Sequence, residues 1–373
     1  MTKVAILRSS FLEQWEGKGQ ENLTHVLNHD HRYFVEKACR EKQWEIADSI
    51  HDLQEGDICF NISAVGLNEE HAYQFLASEQ TTLRDAYGNL CGVKILGPDH
   101  SWLSEMEETI SFEDFTEQYF TIYQEADEDR FDEVFLEAPV VDSFRNLEIA
   151  EKLLAGALCD QWMKKGVRID DSTSVFIDPE VEIGPGTHIE PNVRLLGKTR
   201  IGAGCRITAG SEIVDSILEE HVIVKHSLIE ESYMEEGANI GPYSHLRPKA
   251  HLGKHVHIGN FVEVKNAVLE DDTKAGHLAY IGDADVGKDV NISCGVIFCN
   301  YDGKRKHRSH VGDHAFLGSN ANLIAPVEVE EDGFIAAGST ITKKVEKGAL
   351  ALERAEQKNI AGYVEKRKEK GTL

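Results

Sequence analysis

An aliphatic residue recurs every six positions through the second half of the chain. Ile177, Ile183, Ile189, Leu195, Ile201, Ile207 and Ile213 keep that spacing unbroken. It resumes at Met234, Ile240, Leu246, Leu252, Ile258 and Val264, at Val286, Ile292 and Phe298, and at Val311, Leu317, Leu323, Val329, Ile335 and Ile341. Six is neither the 3.6-residue period of a helix nor the two-residue alternation of a strand. It is the period of a hexapeptide β-helix, in which each short parallel strand sends one aliphatic side chain into a narrow interior and the following residues turn a corner. The glycines after the aliphatic in IGPGTH, IGAGCR, IGPYSH and IGNFVE suit such corners. One coil cannot bury its own interior, so stability has to come from stacking many. A purely mechanical solenoid with a binding partner would carry the same period.

The interruptions are therefore more informative about function than the repeat. The register slips between Val214 and Tyr233. Between Phe298 and Val311 the spacing is 13 rather than 12, and the text there, CNYDGKRKHRSH, is an Asn-Tyr-Asp-Gly turn followed by basic and histidine residues. A further interruption, KNAVLEDDTKAGHLAYIGD, reads as carrying Lys265, His277 and Tyr280 off the repeat. Irregular loops on a regular scaffold are where binding and catalysis concentrate.

Composition divides the chain in two. All four Trp and ten of the 15 Phe precede residue 171, whereas 22 of the 31 Gly follow it. Half of the net charge of −26 lies in residues 101–150, which hold 15 acidic and two basic side chains. The first part reads as mixed α/β, with strands over Val4–Leu7 and Ile58–Ile62 and helices over His31–Gln43 and Asn68–Ser78. The expected organisation is an α/β domain over 1–145, a linker helix over 146–168, a β-helix over 169–350 and a tail over 351–373. No apolar run reaches the ~20 residues of a membrane span. The N-terminal text has no apolar h-region with a small-residue cleavage site, and a cytosolic protein is expected. Seven scattered cysteines without a C-x-x-C argue against a disulfide framework or a zinc site and fit a reducing compartment. So acidic a chain is ill suited to a broad nucleic-acid footprint.

Against that acidity, Arg247, Lys265, Lys304, Arg305 and Lys306 form a basic set able to hold a phosphate, unless they are only solvated solenoid surface. His277 is a candidate general base, histidine being the side chain suited to moving a proton near neutral pH. Glu263, two residues before Lys265 and so on the same strand face, either orients that lysine or merely pairs with it.

After the linker helix, the motifs GPYSHLRP, HIGNFVEVKNA, KAGHLAYIGDADVG, CNYDG, FLGSNANLIAPVEV, AAGSTITK and ALALERAEQ follow in order. From about Glu148 to Lys366 the chain thereby resembles the C-terminal half of the bacterial bifunctional N-acetylglucosamine-1-phosphate uridyltransferase/glucosamine-1-phosphate acetyltransferase. The resemblance implies a homotrimer of left-handed parallel β-helices with active sites between subunits. It implies acetyl transfer from acetyl-CoA to the 2-amino group of glucosamine-1-phosphate, for UDP-GlcNAc and cell-wall synthesis, with no metal needed for that step. By position, His277 matches the general base, with Glu263 as a second catalytic residue. Arg247, Lys265, Tyr280, Asn291 and Lys306 match residues that hold the sugar phosphate. Cys294, Asn300, Tyr301, Ser319, Ala337 and Arg354 match acetyl-CoA contacts.

Two departures stand out. The family reads N-I-G-A-G where this chain has Asn291-Ile292-Ser293-Cys294-Gly295; the contact there is through the backbone, so a small thiol is expected to be tolerated. The uridyltransferase half of the family opens with a glycine-rich L-A-A-G-x-G-T-R-M loop and a downstream Pro-Lys that bind nucleotide phosphates. Here the text is VAILRSSFLEQWEGKG and the segment is much shorter, so no nucleotidyl transfer is expected. Residues 1–145 then form a reduced relic, an unrelated module or an oligomerisation platform. Acetylation of another amino sugar or nucleotide-amino sugar, and a catalytically silent scaffold, are the alternative functions.

Overall fold

The computed structural model describes residues 140–372 continuously and, ahead of them, residues 2–9, 12, 31–41, 43–64, 67, 82–85, 89–95, 101–107, 109–122 and 135–136. The helix expected over Asn68–Ser78 lies outside the described residues. The chain divides into two compact units, Met1–Val181 with Leu195–Gly197, and Glu182–Arg194 with Lys198–Leu373.

In the first unit, strands β1 (Lys3–Leu7), β2 (Glu45–Ile46), β3 (Ile58–Asn61), β4 (Thr82–Asp85), β5 (Leu90–Lys94) and β6 (Phe135–Leu136) form one sheet in the order β2-β1-β3-β5-β4-β6. β5 runs antiparallel to both of its neighbours, while the other pairs are parallel. The central strands are apolar at successive positions because both faces of the sheet are covered. Val4, Ile6, Ile58 and Phe60 pack with Val35, Ala38 and Cys39 of helix α1 (His31–Glu41). Ala5, Leu7 and Cys59 pack on the other side with Phe112, Phe115 and Tyr119 of helix α2 (Phe112–Ile122). Helix α3 (Phe144–Lys164) starts at Ser143, whose hydroxyl accepts the Asn146 amide at 3.3 Å, a standard helix N-cap.

From residue 168 onward the chain winds a parallel β-solenoid of about ten turns. In the second unit three faces alternate. Around the middle of the solenoid, face 1 carries His257–Asn260, Lys274–His277 and Asn291–Ile292. Face 2 carries His245–Arg247, Glu263–Lys265, Tyr280–Gly282 and Ile297–Cys299, and face 3 carries Val268–Leu269, Ala284–Val286 and Ser309–Val311. On face 2 the inward residues Leu246, Val264, Ile281, Phe298 and Leu323 are all fully buried. Each contributes about 1.5–3 kcal/mol of transfer free energy.

The slips in the repeat are not gaps in this interior. Between Ile213 and Met234 the inward positions are Leu218, Val224 and Ile229, reached in steps of five or six. The shortened steps turn on single residues in the left-handed region, Asp215 (φ 44), His226 (φ 39), Glu231 (φ 40), Asn266 (φ 46) and Asp283 (φ 49). Asp and Asn tolerate that conformation better than most residues. Lys265, His277 and Tyr280 consequently stay on the repeat, in regular strands, contrary to the sequence expectation. Likewise Val311, on face 3, is the next inward residue after Phe298, so residues 300–308 are one corner expanded into a loop rather than two hexads with an extra residue.

Close rung-to-rung approach explains one glycine beside the site. A Cβ on Gly259 would lie 1.8 Å from the Gly276 carbonyl oxygen, whereas one on Gly276 would meet nothing within 4 Å. Gly259→Ala is therefore expected to cost about 3 kcal/mol. Gly276→Ala is expected to stay within about 0.5 kcal/mol of the parent protein. Urea unfolding of the two variants checks this; equal stabilities would refute the steric account. Among the described residues no helix is long and apolar enough to cross a membrane.

Candidate active site

Two corners of the solenoid gather the residues singled out from the sequence. At the edge between faces 2 and 3, Arg247 and Lys265 are register neighbours on adjacent rungs, and Gly282 continues the ladder. The 300–308 loop leaves face 2 at this edge and brings Lys306 against Lys265. The Lys306 ammonium set against it, together with the charge of Arg247, holds the Lys265 ammonium below its ordinary pKa of 10.5. Three cations at one edge of an acidic protein form a cradle for an anion with several oxygens.

Glu263 does not pair with Lys265. Its Oε1 accepts Arg247 Nη1 at 2.7 Å, which raises the Arg247 pKa and fixes the guanidinium. The reason is geometric: Lys265 leans to the loop, while Arg247 lies one rung away with its fork facing the carboxylate. Tyr280, in register with Glu263, receives Asn300 Nδ2 on its hydroxyl at 3.3 Å.

The loop is internally braced. Asp302 accepts the Lys304 and Arg305 amides at 2.7 Å each and His307 Nε2 at 2.7 Å. The Arg305 amide, then His307 and the Lys304 amide, bring its carboxyl down to about 2. A depressed carboxylate stabilises above its unfolded value, so this turn is fully braced above 3.8 and loses its brace as the pH falls toward about 2. Tyr301, 61% exposed, bridges antiparallel to Lys306.

The edge between faces 1 and 2 carries a column. Strand register sets Asn260 beside His277, His277 beside Cys294, Cys294 beside Ser319 and Ser319 beside Ala337. Backbone bonds tie the rungs, from the Asn320 amide to the Cys294 carbonyl and from the Gly338 amide to the Ser319 carbonyl, at 2.8 Å each. Arg354 reaches the top, with Nη1 donating to the Ala337 carbonyl at 3.1 Å. His277 is exposed, and its Nδ1 lies 2.9 Å from Asn260 Oδ1. An amide oxygen accepts only, which assigns the proton to Nδ1 and leaves the lone pair on Nε2.

Of the predicted residues, the structure thus joins Arg247, Lys265 and Lys306 at one edge, and His277, Cys294, Ser319, Ala337 and Arg354 at the other, with Glu263 and Tyr280 on the face between. Asn291 lies on face 1, bonded to Ser293 Oγ at 3.0 Å. Asn300 and Tyr301 lie at the loop edge and do not join the column; Asn300 is buried on Asp283 and Tyr280. Sequence reasoning missed Asn260, whose only signal is its place one coil before His277.

A family model described as bacterial transferase hexapeptide (six repeats) matches residues 180–215 and 231–266. The chain is 51% identical over 230 residues to the bifunctional protein GlmU of Clostridioides difficile, a match covering 62% of this chain and 50% of that protein. With the bifunctional protein GlmU of Limosilactobacillus fermentum it is 40% identical over 333 residues, which cover 89% of this chain and 67% of that protein. The chain spans about half the length of most of the curated relatives it matches. Among solved structures, LpxA from Acinetobacter baumannii aligns at 17% identity over 49% of this chain and 69% of its own, with a TM-score of 0.24.

Proposed function

Because this chain belongs to the GlmU family, we propose that its β-helix transfers the acetyl group of acetyl-CoA to the 2-amino group of glucosamine-1-phosphate. The column at the face 1–face 2 edge carries the reading. Residues separated by 17, 25 and 18 positions stack directly above His277. Rungs lie about 4.8 Å apart, so the three steps from His277 to Ala337 span roughly 14 Å. That length suits an extended pantetheine arm, with the thioester at His277 and the phosphorylated end at Arg354.

The acceptor then lies along face 2, its phosphate in the Arg247–Lys265–Lys306 cradle and its amine turned to His277. Glu263 and Lys265 are two strand positions apart, about 6.6 Å, close to the width of a hexose ring. His277 Nε2 takes a proton from the nitrogen as it adds to the thioester carbonyl. When the C–S bond breaks, that proton goes to the departing sulfur, giving the N-acetylated sugar phosphate and CoA. Asn260 holds the imidazole in the tautomer this requires.

We take the assembly to be a homotrimer. Tyr243, Phe261 and Leu278 occupy left-handed corner positions beside the column and are 58%, 54% and 54% exposed, with the Tyr243 and Phe261 rings stacked at 5.6 Å. Bulky residues there carry a backbone cost of about 1–2 kcal/mol each, which burial against a second copy offsets. Asn300 and Tyr301, on the far edge of face 2, contact acetyl-CoA in this arrangement when it is bound along a neighbouring copy's column.

No nucleotidyl transfer is proposed for the N-terminal unit, which lacks the glycine-rich phosphate loop of the family. The Limosilactobacillus match is too long to be confined to the β-helix, which supports a reduced relic over an unrelated module. Acetyl-CoA with glucosamine-1-phosphate is expected to release CoA, detected by a thiol reagent. UTP with N-acetylglucosamine-1-phosphate is expected to release no pyrophosphate. Absence of CoA release overturns the acetyltransferase reading, and pyrophosphate overturns the second claim.

A further inference from the structure

Lys265 and Lys306 repel each other, so the anion-free protein needs a device that holds them together. The loop that carries Lys306 is anchored at its returning end by Arg308, two residues on. Arg308 Nε donates to Asp285 Oδ2 at 2.7 Å, Nη1 to the Asn266 carbonyl at 2.8 Å, and Nη2 to the Ala284 carbonyl at 2.9 Å and also to Asp285 Oδ1. The clamp therefore grips the face 2–face 3 corner on two successive rungs. One of them, through Asn266, is the residue directly after Lys265. Asp285 and Arg308 stabilise each other's charged forms, lowering the carboxyl pKa and raising that of the guanidinium. At the loop's leading end, Asn300 is bonded to Asp283, and the Ser309 amide returns to the Asp283 carbonyl at 3.0 Å.

We propose that Arg308 is a positioning residue that sets the phosphate affinity of the cradle, by fixing Lys306 beside Lys265 and Arg247 without itself touching the acceptor. This rests on reading the cradle as the acceptor's phosphate site. Arginine is required because only a planar fork meets two carbonyls and a carboxylate at once. Arg308→Gln removes the clamp but also leaves Asp285 with only His310, whose Nδ1 lies 3.1 Å from its Oδ2, so that more negative charge stands uncompensated near the cradle, and that alone weakens anion binding. The double variant Arg308→Gln/Asp285→Asn removes the clamp and keeps the local charge balanced.

Calorimetric titration and steady-state kinetics on the full chain test the proposal. In both variants the Kd and KM for glucosamine-1-phosphate are expected to rise about tenfold, the loss of charge-assisted hydrogen bonds at one remove. The acetyl-CoA Kd is expected to stay within about twofold, and kcat at saturating acceptor within about threefold, limits smaller than the loss of one such bond. Parent affinity in the double variant would reduce the effect to charge and overturn the clamp. A parallel fall in donor affinity or kcat would make Arg308 merely structural. Thermal melting verifies folding, and if the glutamine variants do not fold, Arg308→Lys, which keeps the charge but not the fork, is held to the same criteria. Inorganic phosphate as a second titrant separates this proposal from the acceptor reading. Phosphate binding that weakens with the clamp, in a protein that ignores the sugar phosphate, keeps the clamp and discards the acceptor; binding of neither discards both.

Discussion

His277→Ala slows acetyl transfer by about 10²–10⁴-fold, the contribution of one well-placed general base, and leaves the Kd values of both substrates within about twofold, because no binding group is lost. The expectation follows from where the side chain stands. His277 ends a strand at the edge between faces 1 and 2, directly below Cys294 and Ser319 in the column and one corner from Tyr280. It is exposed, so its removal opens no cavity in the solenoid and stability is unchanged. Asn260→Ala keeps the base but frees the ring to rotate and change tautomer, so a smaller loss of about tenfold is expected, in line with other orienting partners. Thiol-release kinetics give kcat, and calorimetry gives the two affinities. Undiminished turnover in His277→Ala sinks the assignment, and equal losses in the two variants sink the tautomer argument.

The solenoid was legible because its interior obeys one rule, a buried aliphatic at every rung, and a period of six has no competing explanation. What period alone does not give is which residues stand above one another. That depends on the length of each corner. Coils shortened by one residue, at Asn266 and at Asp283, make His277 the neighbour of Asn260 and of Cys294, and the expanded loop between Phe298 and Val311 makes Ser319, 25 residues on, the neighbour of Cys294. Counting in sixes loses register at each such corner, which is why Lys265, His277 and Tyr280 read as displaced although they sit in strands. The partner of Glu263 escapes a reading of the sequence for a related reason. Two residues apart on one strand is a closer sequence relation than 16 apart on the next rung, but the cross-rung neighbour Arg247 is the one with the geometry to pair. In the first unit, the paired apolar strands were legible from composition. The reversal of β5 was not, since antiparallel and parallel strands buried on both faces have the same apolar pattern.

Lys265→Met is expected to change activity and stability in opposite directions. It removes one charge-assisted contact to the acceptor phosphate, typically about 1.5–3 kcal/mol, so the KM for glucosamine-1-phosphate rises about 10–100-fold while that for acetyl-CoA holds. In the anion-free protein the same change removes a cation crowded by Lys306 and Arg247. The sign follows from the depressed pKa. The folded state binds the Lys265 proton less tightly than the unfolded chain, so the charged lysine costs stability at every pH below its folded value. That cost fades as the pH rises through the folded value toward 10.5. At pH 7 the cost is present in full. The methionine variant therefore melts above the parent at pH 7, and the difference shrinks by pH 10. Saturating phosphate narrows the gap at pH 7, because an anion that binds the folded cradle stabilises the parent more than the variant. Thermal melts at the two pH values, with and without phosphate, read all three effects. A variant less stable than its parent at pH 7 would mean that Lys265 is held by attractive contacts, and the cradle would lose its basis as a site tuned for an anion at the expense of the empty protein.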